Sequence, residues 1–320
     1  MMVLGSGLLQ LKIDRTCDAC DGVRILDLVD GGGDDLPEWE PGAHIDIHIP
    51  GGLTRQYSLC GDPADRSRYV VAVLLEPQSR GGSAYLHREV RKGDVLTVGL
   101  PRNTFQLKPA AAYLFIAGGI GVTPLIPMFE RVRGQGLKSR LLYAGRSRNT
   151  MAYLHDLDGC EGVEVFPSGE GKRLSVDACL EACVEDEAHV YACGPARLLE
   201  AIEAKCAELN ITHLLHKEYF SGAKVQLDPE SEVTFEVVLE KSDMTIQVEP
   251  DQTILQAVLD RGVYVDNSCA EGTCGSCEVD VLEGDVDHRD RILDEDERAE
   301  NSCMMICCSR ARSSRLVLDL

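Results

Sequence analysis

Three cysteines, Cys269, Cys274 and Cys277, occupy one short stretch, and Cys307 follows thirty positions later. Thiolates at this C-x4-C-x2-C spacing, completed by a distant fourth cysteine, form the plant-type ligand set of a [2Fe–2S] cluster. The run Asp266-Asn267-Ser268-Cys269-Ala270-Glu271-Gly272-Thr273-Cys274-Gly275-Ser276-Cys277 is built of small residues. A loop whose backbone N–H groups must wrap bridging sulfides needs that composition. Zinc is the competing chemistry, but structural zinc sites usually pair two C-x2-C knuckles and this region has one. Cys303, Cys307 and Cys308 all lie where the fourth ligand belongs. The chemistry these residues point to is single-electron transfer.

Two further constellations would supply such a centre. Arg55-Gln56-Tyr57-Ser58 alternates charged, amide, aromatic and hydroxyl groups along one predicted strand; these can meet a phosphate, stack on a planar ring and bond to its edge. About 25 residues on, Arg80-Gly81-Gly82-Ser83-Ala84-Tyr85-Leu86 reads as a glycine turn opening a short helix, which offers N–H groups to an anion. Together the two segments predict a flavin mononucleotide pocket. The third constellation, Ala117-Gly118-Gly119-Ile120-Gly121-Val122-Thr123-Pro124, directly follows an apolar strand. Its glycines allow a pyrophosphate close to the backbone, and Pro124 suits the first turn of a helix, although G-x-G-x-x-G is not met in register. Tyr191-Ala192-Cys193-Gly194-Pro195 closes another strand, and strand C-termini are where open α/β sheets bind ligands.

The elements that must position these residues follow from periodicity. Up to residue 108 the text is short strands and turns, with alternation in His44–Ile49 and Tyr69–Leu74, and reads as an antiparallel β-barrel. Between 109 and 221, apolar strands at Tyr113–Ile116, Arg140–Tyr143 and His189–Ala192 alternate with helices such as Ala196–Leu209, the pattern of an open parallel α/β sheet. Residues 222–232 lack periodicity and read as a short linker. From 233 to 320 a strand pair, Thr234–Leu239 and Thr245–Val248, precedes a helix over Thr253–Arg261 and the cysteine loop, an α+β arrangement of β-grasp type.

Composition narrows the class. A chain of 320 residues with 44% hydrophobic and 27% charged residues builds two or three soluble domains. No basic segment with an apolar core opens it, so no secretory signal is expected. Pro109–Phe129 carries no charge, but Gly118, Gly119, Gly121, Pro124 and Pro127 break it, so a strand, turn and helix are expected in place of a membrane span. Fourteen cysteines without a signal point to reduced thiols in the cytoplasm. The net charge is −21, with 23 acidic and 9 basic residues from Ala223 onward and 30 and 23 before it. Such acidity speaks against nucleic acid; it either steers a basic protein partner or is simply a solvated surface.

Taken together, these motifs resemble the phthalate dioxygenase reductase family, which includes the vanillate O-demethylase reductases, over essentially the whole chain. That resemblance implies, in order, an FMN barrel, an NAD(H) domain and a plant-type ferredoxin. It implies that Arg55, Gln56, Tyr57 and Ser58, with Gly81, Gly82 and Ser83, hold FMN. Gly118, Gly119, Gly121, Thr123, Pro124, Cys193, Gly194 and Pro195 would hold the nicotinamide dinucleotide, with Thr123 and Cys193 beside the hydride path. Glu218-Tyr219-Phe220 would close over the flavin. Arg146-Ser147-Arg148-Asn149 would meet the adenosine ribose; the resemblance favours NADH, although two arginines can also clamp a 2′-phosphate. It selects Cys307 as fourth ligand, because the Cys277–Cys307 spacing and Ile306-Cys307-Cys308-Ser309-Arg310 match the family's last motif. The implied acceptor is a separate Rieske-type oxygenase acting on an aromatic compound. The competing acceptors are a diiron or haem monooxygenase; a non-enzymatic cluster carrier or redox sensor is the third reading, set against the intact flavin and nucleotide motifs.

Other residues carry bland readings. Cys17-Asp18-Ala19-Cys20 is an isolated C-x2-C expected at a turn between two early strands, while Cys60, Cys160, Cys179, Cys183 and Cys206 read as small buried hydrophobes. His44, His48, His213 and His216 lack a carboxylate pattern that would make them ligands. Asp294-Glu295-Asp296-Glu297 reads as a helix start with solvated charge, or as a contact for a partner.

Overall fold

Alternation dictates the first sheet. The run His44–Ile49 points Ile45, Ile47 and Ile49 inward, each 6% exposed or less, because successive strand side chains face opposite ways. The computed structural model describes residues 3–4, 7–77, 81–220, 227 and 231–320. The chain divides into two units, Met1–Phe220 and Ser221–Leu320.

The first unit begins with β1 (Val3–Leu4), β2 (Leu8–Cys20), β3 (Val23–Asp30), β4 (His44–Ile49), β5 (Leu53–Ser58), β6 (Tyr69–Leu74) and β7 (Val95–Gly99), with helix α1 (Gly82–Arg88) before β7. The order is β5-β4-β7-β2-β3-β6, antiparallel throughout, with β1 paired to β2. Leu59, just past β5, bridges Val71 on β6 and closes the sheet into the expected barrel. Leu9, Leu11, Leu26, Leu28, Ile47 and Val98 fill it. Cys17 lies inside β2 and Cys20 ends it, so the C-x2-C is not confined to a turn. The thirteen-residue strand runs past its register shifts and carries both cysteines along with it.

The same unit continues with β8 (Ala112–Gly118), α2 (Val122–Gly134), β9 (Lys138–Gly145), α3 (Leu154–Leu157), β10 (Val163–Pro167), α4 (Val176–Val184), β11 (His189–Cys193), α5 (Ala196–Glu208) and β12 (Leu215–Glu218). The five strands are parallel in the order β10-β9-β8-β11-β12. The chain therefore winds one way from β8 and the other way from β11, and the crevice between their C-terminal ends is the topological switch point. The charge-free stretch is spent on β8, a 3-10 turn and α2, all largely buried. Among the described residues no helix is long and apolar enough to cross a membrane.

The second unit holds β13 (Phe235–Leu239), β14 (Met244–Val248), α6 (Ile254–Asp260), β15 (Glu278–Glu283), β16 (Val286–Asp287), α7 (Glu295–Glu300), β17 (Cys303–Met305), β18 (Arg310–Ala311) and β19 (Arg315–Leu318). The mixed sheet runs β14-β13-β19-β15-β17, and β16 pairs separately with β18. Thr253 and Gln256 form a capping box that starts α6, and Asp294 with Glu297 starts α7 in the same way. Each box satisfies two otherwise orphaned N–H groups. The buried side of α6 (Ile254, Leu255, Ala257, Val258) joins Phe235, Val237 and Ile246 in one core. Of the expected linker, residues 222–226 and 228–230 lie outside the described residues. Its end is fixed: Glu232 pairs with Arg289 at 2.6 Å and with the buried Arg310 at 2.9 Å.

At the opposite end of the parallel sheet, His216 stacks on Tyr191 at 4.6 Å, and its Nε2 lies 3.0 Å from His189 Nδ1. One imidazole must donate and the other accept, so the two cannot both be charged. Burial, then His189 and Lys108, push the His216 pKa down to about 4, whereas an unfolded imidazole titrates near about 6.5. Between those values the unfolded chain binds a proton that the native one refuses, so stability falls as pH drops from about 6.5 toward 4. His216→Phe keeps the stack and removes the titration. Its Tm is expected to fall less than that of the parent between pH 7 and pH 5; equal falls would contradict this assignment.

Candidate redox centre and nucleotide crevice

The pairing of β15 with β17 sets the cluster loop. Glu278 lies directly opposite Met305, so Cys277 and the residues leading to Cys307 leave the same end of that pair. The Ile306 N–H donates to the Cys277 carbonyl at 3.3 Å. Cys274, Cys277 and Cys307 are each 3% exposed or less, and Cys269 is half-buried. The thiols of Cys274 and Cys307 both hydrogen bond to the Cys269 sulfur and draw its pKa down, and Cys277 meets Cys307. The backbone N–H groups of Glu271 and Thr273 also point at the Cys269 sulfur, at 3.3 and 3.4 Å. Gly272 adopts φ +71°, and a Cβ there would stand 2.5 Å from the Cys308 sulfur and 3.1 Å from Asp290 Cα. Four convergent sulfurs wrapped by N–H donors suit a [2Fe–2S] core. Cys303 sits on β17 opposite Asp280, and the buried Cys308 lies under Gly272 with its thiol 3.6 Å from the Met305 carbonyl.

At the switch point, backbone meets backbone. A Cβ on Gly118 would lie 2.6 Å from Pro195 Cδ, and one on Gly121 would lie 2.4 Å from the Cys193 carbonyl oxygen. Any larger residue at either position would push β8 and β11 apart. Gly119 forms the 3-10 turn, Pro124 is the third residue of α2, and the buried Thr123 hydroxyl donates to the Ile120 carbonyl at 2.9 Å. Both strand-end motifs therefore line one crevice. Cys193 is fully buried, and burial, then Glu218, push its thiol pKa well up.

Glu218 was expected only as the first residue of the segment closing over the flavin, with no role of its own. It pairs in register with Cys193 across β11 and β12, and its carboxylate Oε2 is buried with no hydrogen-bond partner among the described residues. Burial pushes its pKa up to about 8. The segment that carries it was expected to close the site, but nothing local marked this carboxyl as buried; the signal is the strand register. Next to it Tyr219 donates to Glu203 at 2.8 Å, and Phe220 is 43% exposed.

The two flavin segments also come together. Gly82 lies flat on Arg55, since a Cβ there would be 2.7 Å from Arg55 Cγ, and Gly81 sits at the start of α1 beside Leu53. The buried Ser83 hydroxyl accepts from the Glu76 N–H at 3.2 Å. Gln56 Nε2 lies 3.1 Å from His44 Nε2, Ser58 is buried, and burial raises the Tyr57 phenol above its usual range. Arg80 lies outside the described residues. Past β9, Arg148 is held by Asp158 at 2.6 Å and by Glu170 at 3.2 Å. Arg146 is exposed and, among the described residues, has no side-chain partner.

Comparison with known proteins gives concordant results. Residues 237–312 match the 2Fe-2S iron-sulfur cluster binding domain. The chain is 43% identical over 312 residues to a phenoxybenzoate dioxygenase subunit beta of Ectopseudomonas oleovorans, covering 97% of each protein. A solved phthalate dioxygenase reductase, described as modular for electron transfer from pyridine nucleotides to [2Fe-2S], superposes with a TM-score of 0.70 at 34% identity, covering 98% of both chains. An intact type IV self-sufficient cytochrome P450 monooxygenase superposes with a TM-score of 0.90 at 45% identity; 98% of this chain corresponds to 41% of that one. The chain thus spans about two fifths of that P450 protein and nearly all of the dioxygenase partners.

Replacing Cys307 by serine is expected to abolish the visible absorption of the cluster, while Cys303→Ser and Cys308→Ser retain it. Loss in Cys308→Ser with retention in Cys307→Ser would reverse the ligand assignment.

Proposed function

The chain belongs to the phthalate dioxygenase reductase family, and on that footing we propose that it is an NADH-dependent reductase delivering electrons to a separate Rieske-type oxygenase. The observation that carries the reading is the presence, in one polypeptide, of four convergent cysteines and a glycine-lined switch-point crevice beside a barrel. The assignment by region is a flavin barrel over 1–108, an NAD(H) domain over 109–221, a linker over 222–232 and a ferredoxin domain over 233–320. FMN held in the barrel would supply the chemistry that takes up an electron pair as hydride and releases it singly.

The residues bind and position. Arg55 would meet the FMN phosphate together with Gly81, Gly82 and Ser83, and Gln56, Tyr57 and Ser58 would line the ring. The half-buried Tyr57 keeps its phenolic proton and so brings a donor without a charge. Gly118, Gly119, Gly121, Thr123, Pro124, Gly194 and Pro195 let the dinucleotide approach the backbone at the switch point. Cys193 stays a neutral thiol there, and Phe220 stands at the end of the closing segment. Glu218 is protonated below pH of about 8 and can donate a hydrogen bond to a carboxamide bound beside Cys193. Arg146 is available to a ribose, while two carboxylates occupy Arg148. The pair is therefore not a free clamp for a 2′-phosphate, which supports NADH over NADPH.

The acceptor is assigned by relatedness and by direction. The relatives include a phenoxybenzoate dioxygenase subunit and a phthalate dioxygenase reductase, and an aromatic compound turned over by a partner oxygenase is the reaction they suggest. Plant-type clusters lie near about −400 mV and Rieske centres between roughly −150 and +300 mV. A gap of at least about 250 mV, at about 59 mV per tenfold, drives transfer forward more than ten-thousandfold. The likeness to a self-sufficient P450 supports a second reading in which a haem monooxygenase is the acceptor. In that protein 98% of this chain aligns at 45% identity. None of the fourteen cysteines is in a disulfide, in keeping with a cytoplasmic protein.

Mixing the NADH-reduced protein with the isolated oxygenase component of a phthalate dioxygenase should bleach its Rieske centre; transfer only to a P450 haem domain would favour the second reading. NADH is expected to exceed NADPH in kcat/KM by at least about tenfold. The double variant Asp158→Asn, Glu170→Gln should narrow that gap by freeing Arg148, and a native preference for NADPH would contradict the cofactor assignment. Flavin reduction by NADH is expected to slow as pH rises through about 8, where Glu218 loses its proton. Glu218→Gln should remove that limb and keep most of the rate, whereas Glu218→Ala should slow it at every pH; an unchanged pH profile in Glu218→Gln would rule out the role.

A further inference from the structure

The segment between α6 and the cysteine loop alternates as a strand would, with Val263 and Val265 turned into the core. Tyr264 between them turns outward and is 80% exposed, more than any other large hydrophobic side chain among the described residues. Its hydroxyl donates to Asp266 at 2.8 Å, which holds the ring in a defined orientation. Leu259, on the last turn of α6, is 40% exposed, and the Gly262 N–H closes the turn between them on the Leu259 carbonyl. Single exposed aromatics are common on protein surfaces. This one lies five positions before Cys269, and Cys269 is the cluster cysteine that is not buried. The least covered edge of the redox centre and the most exposed aromatic therefore share one loop, flanked by the exposed Asp260 and Asp266, in a unit that carries 23 acidic and 9 basic residues from Ala223 onward.

We propose that this face is where the electron-accepting protein docks, and that Tyr264 is its anchor. The partner it fits presents a shallow apolar hollow at its own redox centre, edged by Lys and Arg. Tyr264 and Leu259 enter the hollow, and Asp260 and Asp266 meet the basic rim. An aromatic held by a hydrogen bond loses little freedom on binding, which is what makes such residues dominate interfaces. The acidic surroundings raise the encounter rate with a basic partner and do so less as salt increases. One electron leaves the reduced cluster for each acceptor reduced, with no proton transferred at this face. The inference rests on the reductase reading for the source of that electron, but the surface can be tested without NADH.

The cluster is reduced with dithionite, excess reductant is removed anaerobically, and the full-length holoprotein is mixed with cytochrome c, a basic haem protein, or with ferricyanide, a small anion that needs no docking surface. Tyr264→Ser should slow cytochrome c reduction about tenfold, and Tyr264→Phe should keep most of the rate. Ferricyanide reduction and the cluster's absorption should be unchanged in both variants. Leu282→Ser, at a position 55% exposed on β15 of the same unit, should leave every rate at the parent value. An unchanged cytochrome c rate in Tyr264→Ser would overturn the proposal, and so would an equal slowing with ferricyanide. It would also be overturned if Tyr264→Ser slowed NADH-driven cluster reduction yet left dithionite-loaded delivery intact, for the face would then serve the chain's own flavin unit. If NADH reduced no variant and not the parent either, the reductase reading would fail while the dithionite arm still decided the docking face.

Discussion

Four sulfur atoms must reach one point from two segments thirty residues apart, and the second unit is arranged around that requirement. Glu278 opposite Met305 places Cys277 and Cys307 at one end of the β15–β17 pair. From there the loop must turn back sharply enough for Cys269 and Cys274 to face the same spot, and the left-handed Gly272 against Asp290 and Cys308 makes that turn. The residue three beyond Cys307, Arg310, is almost wholly buried. It donates to the carbonyls of Val233, Glu249 and Gln252, which ties the start of the sheet and the approach to α6 to the ligand segment. A buried arginine with this many acceptors and a paired Glu232 sets geometry more than it adds stability.

The first unit solves a different problem by the same kind of close approach. A dinucleotide can be bound at the ends of β8 and β11 only if nothing fills the crevice, and Gly118, Gly121 and Gly194 leave it to bare backbone. The neighbouring barrel brings Arg55 onto Gly82. Several titratable groups in these surroundings stay neutral: Cys193 and Tyr57 keep their protons, and Glu218 keeps its own to near pH 8. Neutral groups at these positions avoid the desolvation cost of a buried ion.

Much of this was readable from residues alone. The cysteine spacing carries its chemistry on its face, and strands such as His44–Ile49 and Tyr69–Leu74 have the bounds that alternation predicts. The glycine and proline pattern in 118–124 foretold a strand, a turn and a helix start. What could not be read depends on register and on long-range pairing. Glu218 became interesting only because β12 lies beside β11, and Arg148 was not available because Asp158 and Glu170 reach it from loops 10 and 22 residues away. The Cys17–Cys20 pair was expected at a turn because strand length is set by partners that no local window contains. The outward turn of Tyr264 follows from Val263 and Val265, but its exposure depends on what the rest of the unit leaves uncovered.

The central claim is that a two-electron donor is emptied one electron at a time within a single polypeptide. An anaerobic titration of the holoprotein with NADH, followed by visible absorption and by the paramagnetic signal of the reduced cluster, tests it most directly. FMN holds two electrons and a [2Fe–2S] centre one, so complete reduction takes about 1.5 equivalents of NADH per chain, and NADH added beyond one equivalent is expected to go on bleaching the cluster and raising its paramagnetic signal. An end point at one equivalent with the cluster still oxidised, or no bleaching at all, would contradict the account.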